Sequence, residues 1–235
     1  MKICGLQKLT LLDFPGRIAC TVFLGGCNFR CPYCHNGSLV RRDADELMTV
    51  NELLGFLDSR RGRLQGVCIS GGEPTLYPEL PSLISEIRSR GFEVKLDTNG
   101  TNPEMLSALI ADGLVDYVAM DIKNSPERYL LTVGLNAECR MQNAELLIEK
   151  VKNSAELLMQ GRVDFEFRTT LMKELHGEGD IESIGRWLSG EEKFFLQTYR
   201  DEGDLLVGGF TPFDSAETKE LLAILQRYIP NAEIR

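Results

Sequence analysis

The sequence predicts an α/β fold, an open partial (β/α)6 TIM-like barrel of parallel strands, with a flat doubly wound sheet as the alternative. Two observations carry this expectation. Short apolar runs rich in β-branched and aromatic residues alternate along the chain with longer segments whose apolar residues recur three and four apart. The strand–helix order repeats throughout, which calls for parallel strands joined by right-handed crossovers, and about six such units are too few to close an eight-stranded barrel.

The strands are expected at 18–24, 66–70, 93–98, 117–122, 164–169 and 194–198, and the helices at 50–57, 80–90, 103–111, 142–158, 181–188 and 216–228. No internal repeat, low-complexity stretch or linker divides them, so residues 1–235 are expected to form a single domain. In folds of this kind the chemistry gathers where strands end. Each expected strand end is polar or glycine-rich: the loop at 25–37, Ser70-Gly71-Gly72-Glu73-Pro74, Asp97-Thr98-Asn99-Gly100, Asp121-Ile122-Lys123, Arg168-Thr169-Thr170 and Gln197-Thr198-Tyr199-Arg200.

Composition narrows the function classes. With 235 residues, 43% of them hydrophobic and 26% charged, the chain is long enough to bury a substantial core. Its 35 acidic and 26 basic residues leave a formal charge of −9, a field that repels nucleic acid and anionic lipid, so neither is expected as a partner. No apolar run approaches the roughly 20 residues of a bilayer span, and the opening MKICGLQKLTLLDFPG has neither a long apolar stretch nor a small-residue cleavage site. The expected location is the cytoplasm.

Seven cysteines form an odd set, and Cys27, Cys31 and Cys34 crowd together in a C-x3-C-x2-C loop directly after the first expected strand. Spacing of this kind points to metal ligation rather than disulfides. Glycines and Pro32 let the loop curl around one inorganic centre. Structural zinc normally takes four protein ligands, often as two separated pairs, and no second pair is present. His35 could complete a zinc site, although it adjoins Cys34 and neighbouring side chains seldom reach one ion together. A cubane cluster with one cysteine-free iron accommodates three thiolates and leaves a coordination position open; zinc, or three unrelated buried cysteines, are the alternatives.

The C-x3-C-x2-C loop with Tyr33 before its third cysteine resembles the radical S-adenosylmethionine (SAM) superfamily, and the likeness extends over nearly the whole chain. The resemblance implies a radical SAM barrel, a [4Fe-4S] cluster held by Cys27, Cys31 and Cys34, and SAM chelated at the unique iron through its amino and carboxylate groups. Reductive cleavage would then yield methionine and a 5′-deoxyadenosyl radical, with Tyr33 near adenine and no acid–base side chain required. Residues 6–16, LQKLTLLDFPG, followed by 23–36, FLGGCNFRCPYCHN, resemble more narrowly the activating proteins of anaerobic ribonucleoside-triphosphate reductases. That likeness implies glycyl-radical activation of a partner reductase, supplied with electrons by a low-potential donor such as flavodoxin or ferredoxin.

The glycines of Gly71-Gly72-Glu73-Pro74 permit close backbone approach to a ligand and expose carbonyls to which an amino group is the natural guest; a plain strand-to-helix turn is the alternative. The segment resembles the superfamily's GGE motif, which implies that it binds the SAM ammonium with Glu73 as the charged acceptor. Asp97 and Asp121, on neighbouring strand ends, could form a cation site or hold ribose hydroxyls. Both segments, with Thr98 and Asn99, resemble glycyl-radical activating enzymes, which implies that they lie beside SAM, with a monovalent cation near its carboxylate and Lys123 as a positive partner. Helix capping by Asp97 and a solvated Lys123 are the alternatives. In Phe165-Glu166-Phe167-Arg168 the phenylalanines share one face and Arg168 takes the other, so Arg168 is expected to point into a wet barrel and grip the SAM carboxylate or ribose, with Gln197 completing the ring.

Cys20 and Cys68 lie inside apolar strands and read as small core hydrophobes, while Cys4 and Cys139 have no partner at ligand spacing. His176 is expected to be exposed in a polar loop, and 201–204 to be solvated. Rival functions are the same chemistry on another glycyl-radical enzyme or on a small molecule, as in 7-carboxy-7-deazaguanine synthesis, and a non-enzymatic electron carrier or zinc module. A carrier would want a fully cysteine-ligated cluster. The sequence lacks the cysteine-rich insert of some other glycyl-radical activases, and the LLDFPG opening favours the reductase partner.

Overall fold

The computed structural model describes residues 1–40, 45–135, 141–190 and 193–235, with the backbone alone for 141–144. One eight-stranded sheet runs through them in simple chain order, β1 to β8. Its middle strands are the expected ones: β2 (Ala19–Leu24), β3 (Gly66–Gly71), β4 (Glu93–Thr98), β5 (Tyr117–Asp121), β6 (Asp164–Leu171) and β7 (Phe194–Thr198). Each pairs in parallel with the next.

Two edge strands escape the apolar pattern. β1 (Ile3–Thr10) runs antiparallel to β2; its Gln7, Lys8 and Leu9 are exposed, which leaves no buried run to betray it. β8 (Ala232–Ile234) adds three residues in parallel to β7, too few for any periodicity. Among the described residues no pairing joins β8 to β1, so the barrel stays open.

Helices α2 (Val50–Asp58), α3 (Leu80–Arg88), α4 (Pro103–Ala111), α6 (Met141–Met159), α7 (Glu178–Trp187) and α8 (Ser215–Leu225) connect the strands, with single turns α1 (Gly37–Val40) and α5 (Tyr129–Thr132) beside them. Their starts are chemically marked. Thr49 and Glu52 form a capping box on α2, Asp214 and Glu217 another on α8, and Asn102 caps α4 ahead of Pro103. Along each strand the side chains alternate, so Val94 and Leu96 of β4 join the main apolar core while Lys95 and Asp97 share the opposite, inner face.

The end of the barrel where the strands begin is plugged. Phe14, in the β1–β2 turn, packs on Tyr117 with ring centroids 6.3 Å apart and on Ala19. A Cβ on Gly66 would stand 2.7 Å from the Phe14 ring, so glycine at the start of β3 makes room for the plug. Above it, buried Glu166 accepts from the Tyr117 hydroxyl and the Arg235 guanidinium, both at 3.0 Å, and Arg235 stacks on Phe195. Among the described residues no helix is long and apolar enough to cross a membrane. Cys20 and Cys68 are fully buried in β2 and β3, and Cys139 lies outside the described residues.

Candidate active site

A cavity of about 260 Å³ opens at the other end, a little below the roughly 300–1,000 Å³ of many small-ligand sites. Its wall brings together all the candidate residues except Glu73: Cys27, Cys31, Cys34 and Tyr33 from the loop, Gly71 and Gly72 after β3, Asp97, Thr98 and Asn99 from β4, Asp121 and Lys123 from β5, Arg168 from β6 and Gln197 from β7.

The cysteine loop is held from three sides. Gly26 and Cys27 donate backbone N–H groups to Leu39 and Val40, and Arg30 donates to Val133 just beyond α5. The loop at 199–210 pairs with it as well: Leu206 and Val207 donate to the carbonyls of Cys34 and Pro32, and Asp204 accepts from the Gly37 and Ser38 amides. The 201–204 run is exposed as expected, and it is also anchored: Asp204 fastens this loop to the cysteine loop and Asp201 accepts from Tyr199 and Gly209.

Burial pushes the Cys27 thiol up to about 11 and the Cys31 thiol up to about 12, so ionised sulfur at these positions needs a compensating metal charge. Among the described residues no three His, Cys, Asp or Glu side chains converge closely enough to hold a single ion. The three thiols instead stand around a shared volume, an arrangement that suits one cysteine on each of several irons better than a four-ligand zinc site. A further fit comes from Tyr33, whose buried hydroxyl has no hydrogen-bond partner among the described residues and lies on a residue lining the cavity.

Glu73 alone of the candidate residues does not line the cavity. It is fully buried, away from the cavity wall, and its carboxyl accepts from the Thr75 amide and hydroxyl, the Thr98 hydroxyl and the Asn99 amide at 2.5–3.1 Å. Burial pushes this carboxyl up, against four donors that favour its charged form. With three of these donors on Oε1 and one on Oε2, the carboxylate organises the turn. The neighbouring glycines do line the cavity. A Cβ on Gly71 would sit 2.3 Å from the Leu24 carbonyl, and one on Gly72 2.0 Å from that of Gly26, so only glycine allows this turn to lie against the start of the cysteine loop.

The inner faces of β4, β5 and β6 carry an ordered row of charges. Lys95 pairs with Asp97; Arg168 reaches Asp97 at 3.6 Å and Asp121 at 2.9 Å; Lys123 pairs with Asp121 at 2.8 Å. Burial opposes ionisation throughout, but Arg168 and Lys95 hold the Asp97 carboxyl below its ordinary range, and Arg168 and Lys123 hold that of Asp121 lower still. On the cavity wall Lys123 and Arg168 thus stand against Asp97 and Asp121, a row of paired charges that offers cationic N–H donors to an anionic ligand group. Both carboxylates considered for a monovalent cation are therefore already paired with side-chain cations. Arg168 spends its guanidinium on these aspartates, and capping of α4 falls to Asn102 rather than Asp97.

His176 is likewise corrected: it is buried, not exposed. Its Nδ1 accepts from the Met172 amide and its Nε2 donates to the Lys123 carbonyl at 2.9 Å, so the ring supports the backbone behind Lys123. Sequence reasoning also passed over Lys95, although it lies two residues before Asp97 on one strand face, the same alternation that singled out Arg168. Asn36, which donates to the Gly71 carbonyl at 3.1 Å, and Asn28, beside Cys27, carried no comparable signal.

Comparison with known proteins agrees with this geometry. A profile of the radical SAM superfamily matches residues 21–172. A Methanocaldococcus jannaschii protein that bears the name "Putative glycyl-radical enzyme activating enzyme" is 33% identical over 236 residues, covering 99% of this chain and 95% of the relative. The pyruvate formate-lyase-activating enzyme of Clostridium pasteurianum is 31% identical over 131 residues, 52% of each chain. Among solved structures, Streptococcus suis SuiB bound to S-adenosylmethionine superposes with a TM-score of 0.66 at 13% identity, over 92% of this chain and 51% of that one, a likeness of fold. The cofactors of the superfamily are a [4Fe-4S] cluster and SAM. With its parallel open sheet, its three-cysteine loop and a match across most of the domain, this chain belongs to the radical SAM superfamily.

Proposed function

We propose that this chain is a glycyl-radical enzyme activase whose protein target is an anaerobic ribonucleoside-triphosphate reductase. The observation that carries the activase reading is the end-to-end likeness to the M. jannaschii relative, at 33% identity over 99% of this chain. The reductase target rests on the 6–16 opening and the 23–36 loop. When bound, the cluster and SAM supply a one-electron cleavage to methionine and a 5′-deoxyadenosyl radical, which takes hydrogen from a glycine Cα of the target to give 5′-deoxyadenosine and a glycyl radical.

The residues of this chain bind and orient. Cys27, Cys31 and Cys34 hold the cluster and leave one iron open. The carbonyls of Gly71 and Gly72 accept from the SAM ammonium, a role that Glu73 supports by fixing the turn. Lys123 and Arg168 present the cationic groups on the wall that receive the carboxylate, each oriented by its aspartate partner, and the ring of Tyr33 flanks adenine. Thr98, Asn99 and Gln197 complete the polar wall, and the electron arrives from a low-potential flavodoxin or ferredoxin. A target loop entering the mouth would itself exclude water from the radical.

The test is anaerobic incubation of this protein with reductant, SAM and the reductase. An organic doublet in the electron paramagnetic resonance (EPR) spectrum, carried by the reductase, is the expected result. Absence of that doublet, together with a small molecule that accelerates 5′-deoxyadenosine formation, would move the assignment to the small-molecule class.

A further inference from the structure

The three loop cysteines are not in equivalent surroundings. Of the three, Cys27 is the one whose sulfur accepts N–H donors among the described residues, from the Phe29 amide at 3.3 Å and from the Asn99 side-chain amide at 3.9 Å, and its thiol faces Asn28 Oδ1 at 3.9 Å. The second donor is locked in place by a closed ring of hydrogen bonds. Asn99 Nδ2 donates to Asn28 Oδ1 at 2.8 Å, Asn28 Nδ2 donates to the Thr101 hydroxyl at 2.8 Å, and that hydroxyl donates to Asn99 Oδ1 at 2.7 Å. The Thr101 backbone amide donates to the same Oδ1 at 3.0 Å.

The ring fixes the orientation of both amides. Rotating Asn99 by half a turn would set its NH2 against the Thr101 N–H and its oxygen against Asn28 Oδ1 and the Cys27 sulfur, losing the ring bonds it now makes. Asn99 and Thr101 are buried, so no bulk water compensates for a broken member. The Asn99 NH2 is thereby kept on the side of the sulfur, 3.9 Å away.

We propose that Asn99, held by Asn28 and Thr101, is a tuning donor to the Cys27 ligand that makes the cluster easier to reduce. An N–H dipole pointed at a ligating thiolate stabilises the extra negative charge of the reduced state, and hydrogen bonds to cluster sulfurs are among the determinants of iron–sulfur potentials. Asn28 and Thr101 act through Asn99 and are positioning residues. The proposal rests on the cysteine-bound cluster of the reading above and adds a role for Asn99 that does not involve SAM.

The experiment is an EPR-monitored redox titration of anaerobically reconstituted protein without SAM, after iron and sulfide have been counted. Asn99→Ala is expected to retain the cluster and to be about tenfold harder to reduce, a midpoint lower by about 59 mV for one electron. Thr101→Val should move the midpoint in the same direction, and Thr101→Ser, which restores the hydroxyl, should return it to the wild-type value. An unmoved midpoint in Asn99→Ala overturns the proposal. If that variant loses its iron, the Thr101 pair decides: equal midpoints for Val and Ser overturn it. A wild-type protein that takes up no cluster would instead defeat the reading on which the proposal rests.

Discussion

The two ends of the same strands are built on opposite principles. At the floor, Phe14, Ala19 and Tyr117 form a small apolar plug, and the polar groups above it, Glu166, Tyr117 and Arg235, satisfy one another. At the mouth, charged and polar side chains from β4 to β7 line a cavity, and a buried tyrosine hydroxyl has no protein partner among the described residues. Side chains complete the floor, whereas groups at the mouth are held in place by other protein groups yet still face open space. The difference assigns packing to one end and ligand chemistry to the other.

It also separates two signals that lie close together in the sequence. Residues 11–16, LLDFPG, sit in the β1–β2 turn at the floor, since Thr10 pairs with Ala19 at the start of β2, whereas the cysteine loop follows the far end of that strand. Phe14 is therefore a plug, and Asp13 braces it by accepting from the Thr21 hydroxyl at 2.5 Å. A likeness in this segment can mark kinship without touching anything that enters the mouth.

Substitutions at the two ends should part along the same line. The largest effect is at the mouth: Cys27→Ala, Cys31→Ala or Cys34→Ala should each abolish cluster assembly, while Cys20→Ala and Cys68→Ala keep it. Iron analysis after anaerobic reconstitution measures this, and a full iron complement in any of the three loop variants would remove that residue from the ligand set. Next comes the floor. Phe14→Ala should cost about 3–5 kcal/mol of stability in chemical denaturation while leaving iron content and SAM affinity at wild-type values in the folded protein. A large loss of SAM affinity there would break the separation.

Glu73→Gln tests the support beneath the mouth. An amide in place of the carboxylate sets an NH2 among four donors, so about 1–3 kcal/mol of stability should be lost. The cluster should survive. Unchanged stability would return Glu73 to direct ligand binding.

The smallest effect concerns pH. Burial holds the His176 imidazole below its ordinary value of 6.5, so the unfolded chain binds a proton there that the folded chain resists. Stability from this group is complete above about pH 6.5 and declines as the pH falls from there toward the lowered folded value. The drop in melting temperature between pH 7.5 and pH 5.5 should therefore be smaller in His176→Gln than in the wild type, and equal drops would exclude the effect.

Much of this architecture was legible in the residues. The middle strands announce themselves as runs such as Val67-Cys68-Ile69, because both faces of a parallel strand are covered. β1 and β8 did not, since one is half exposed and the other is three residues long. The cysteine spacing located the mouth, and strand alternation put Arg168 on its inner face. Alternation could not say where Glu73 turns after β3, because a loop residue's direction depends on backbone set elsewhere, here by Thr75, Thr98 and Asn99. His176 escaped for a related reason: a polar loop between charged residues looks solvated until its two carbonyl and amide partners, 53 and four residues away, are known.

The most direct test of a mouth that joins cluster and SAM is the EPR spectrum of the reduced, reconstituted protein with and without saturating SAM. An open iron facing the cavity requires the cluster signal to change on SAM addition, in the wild type and in Phe14→Ala alike. A signal that stays the same in the presence of bound SAM would mean that no iron of the cluster is available at the mouth, and would contradict the assignment.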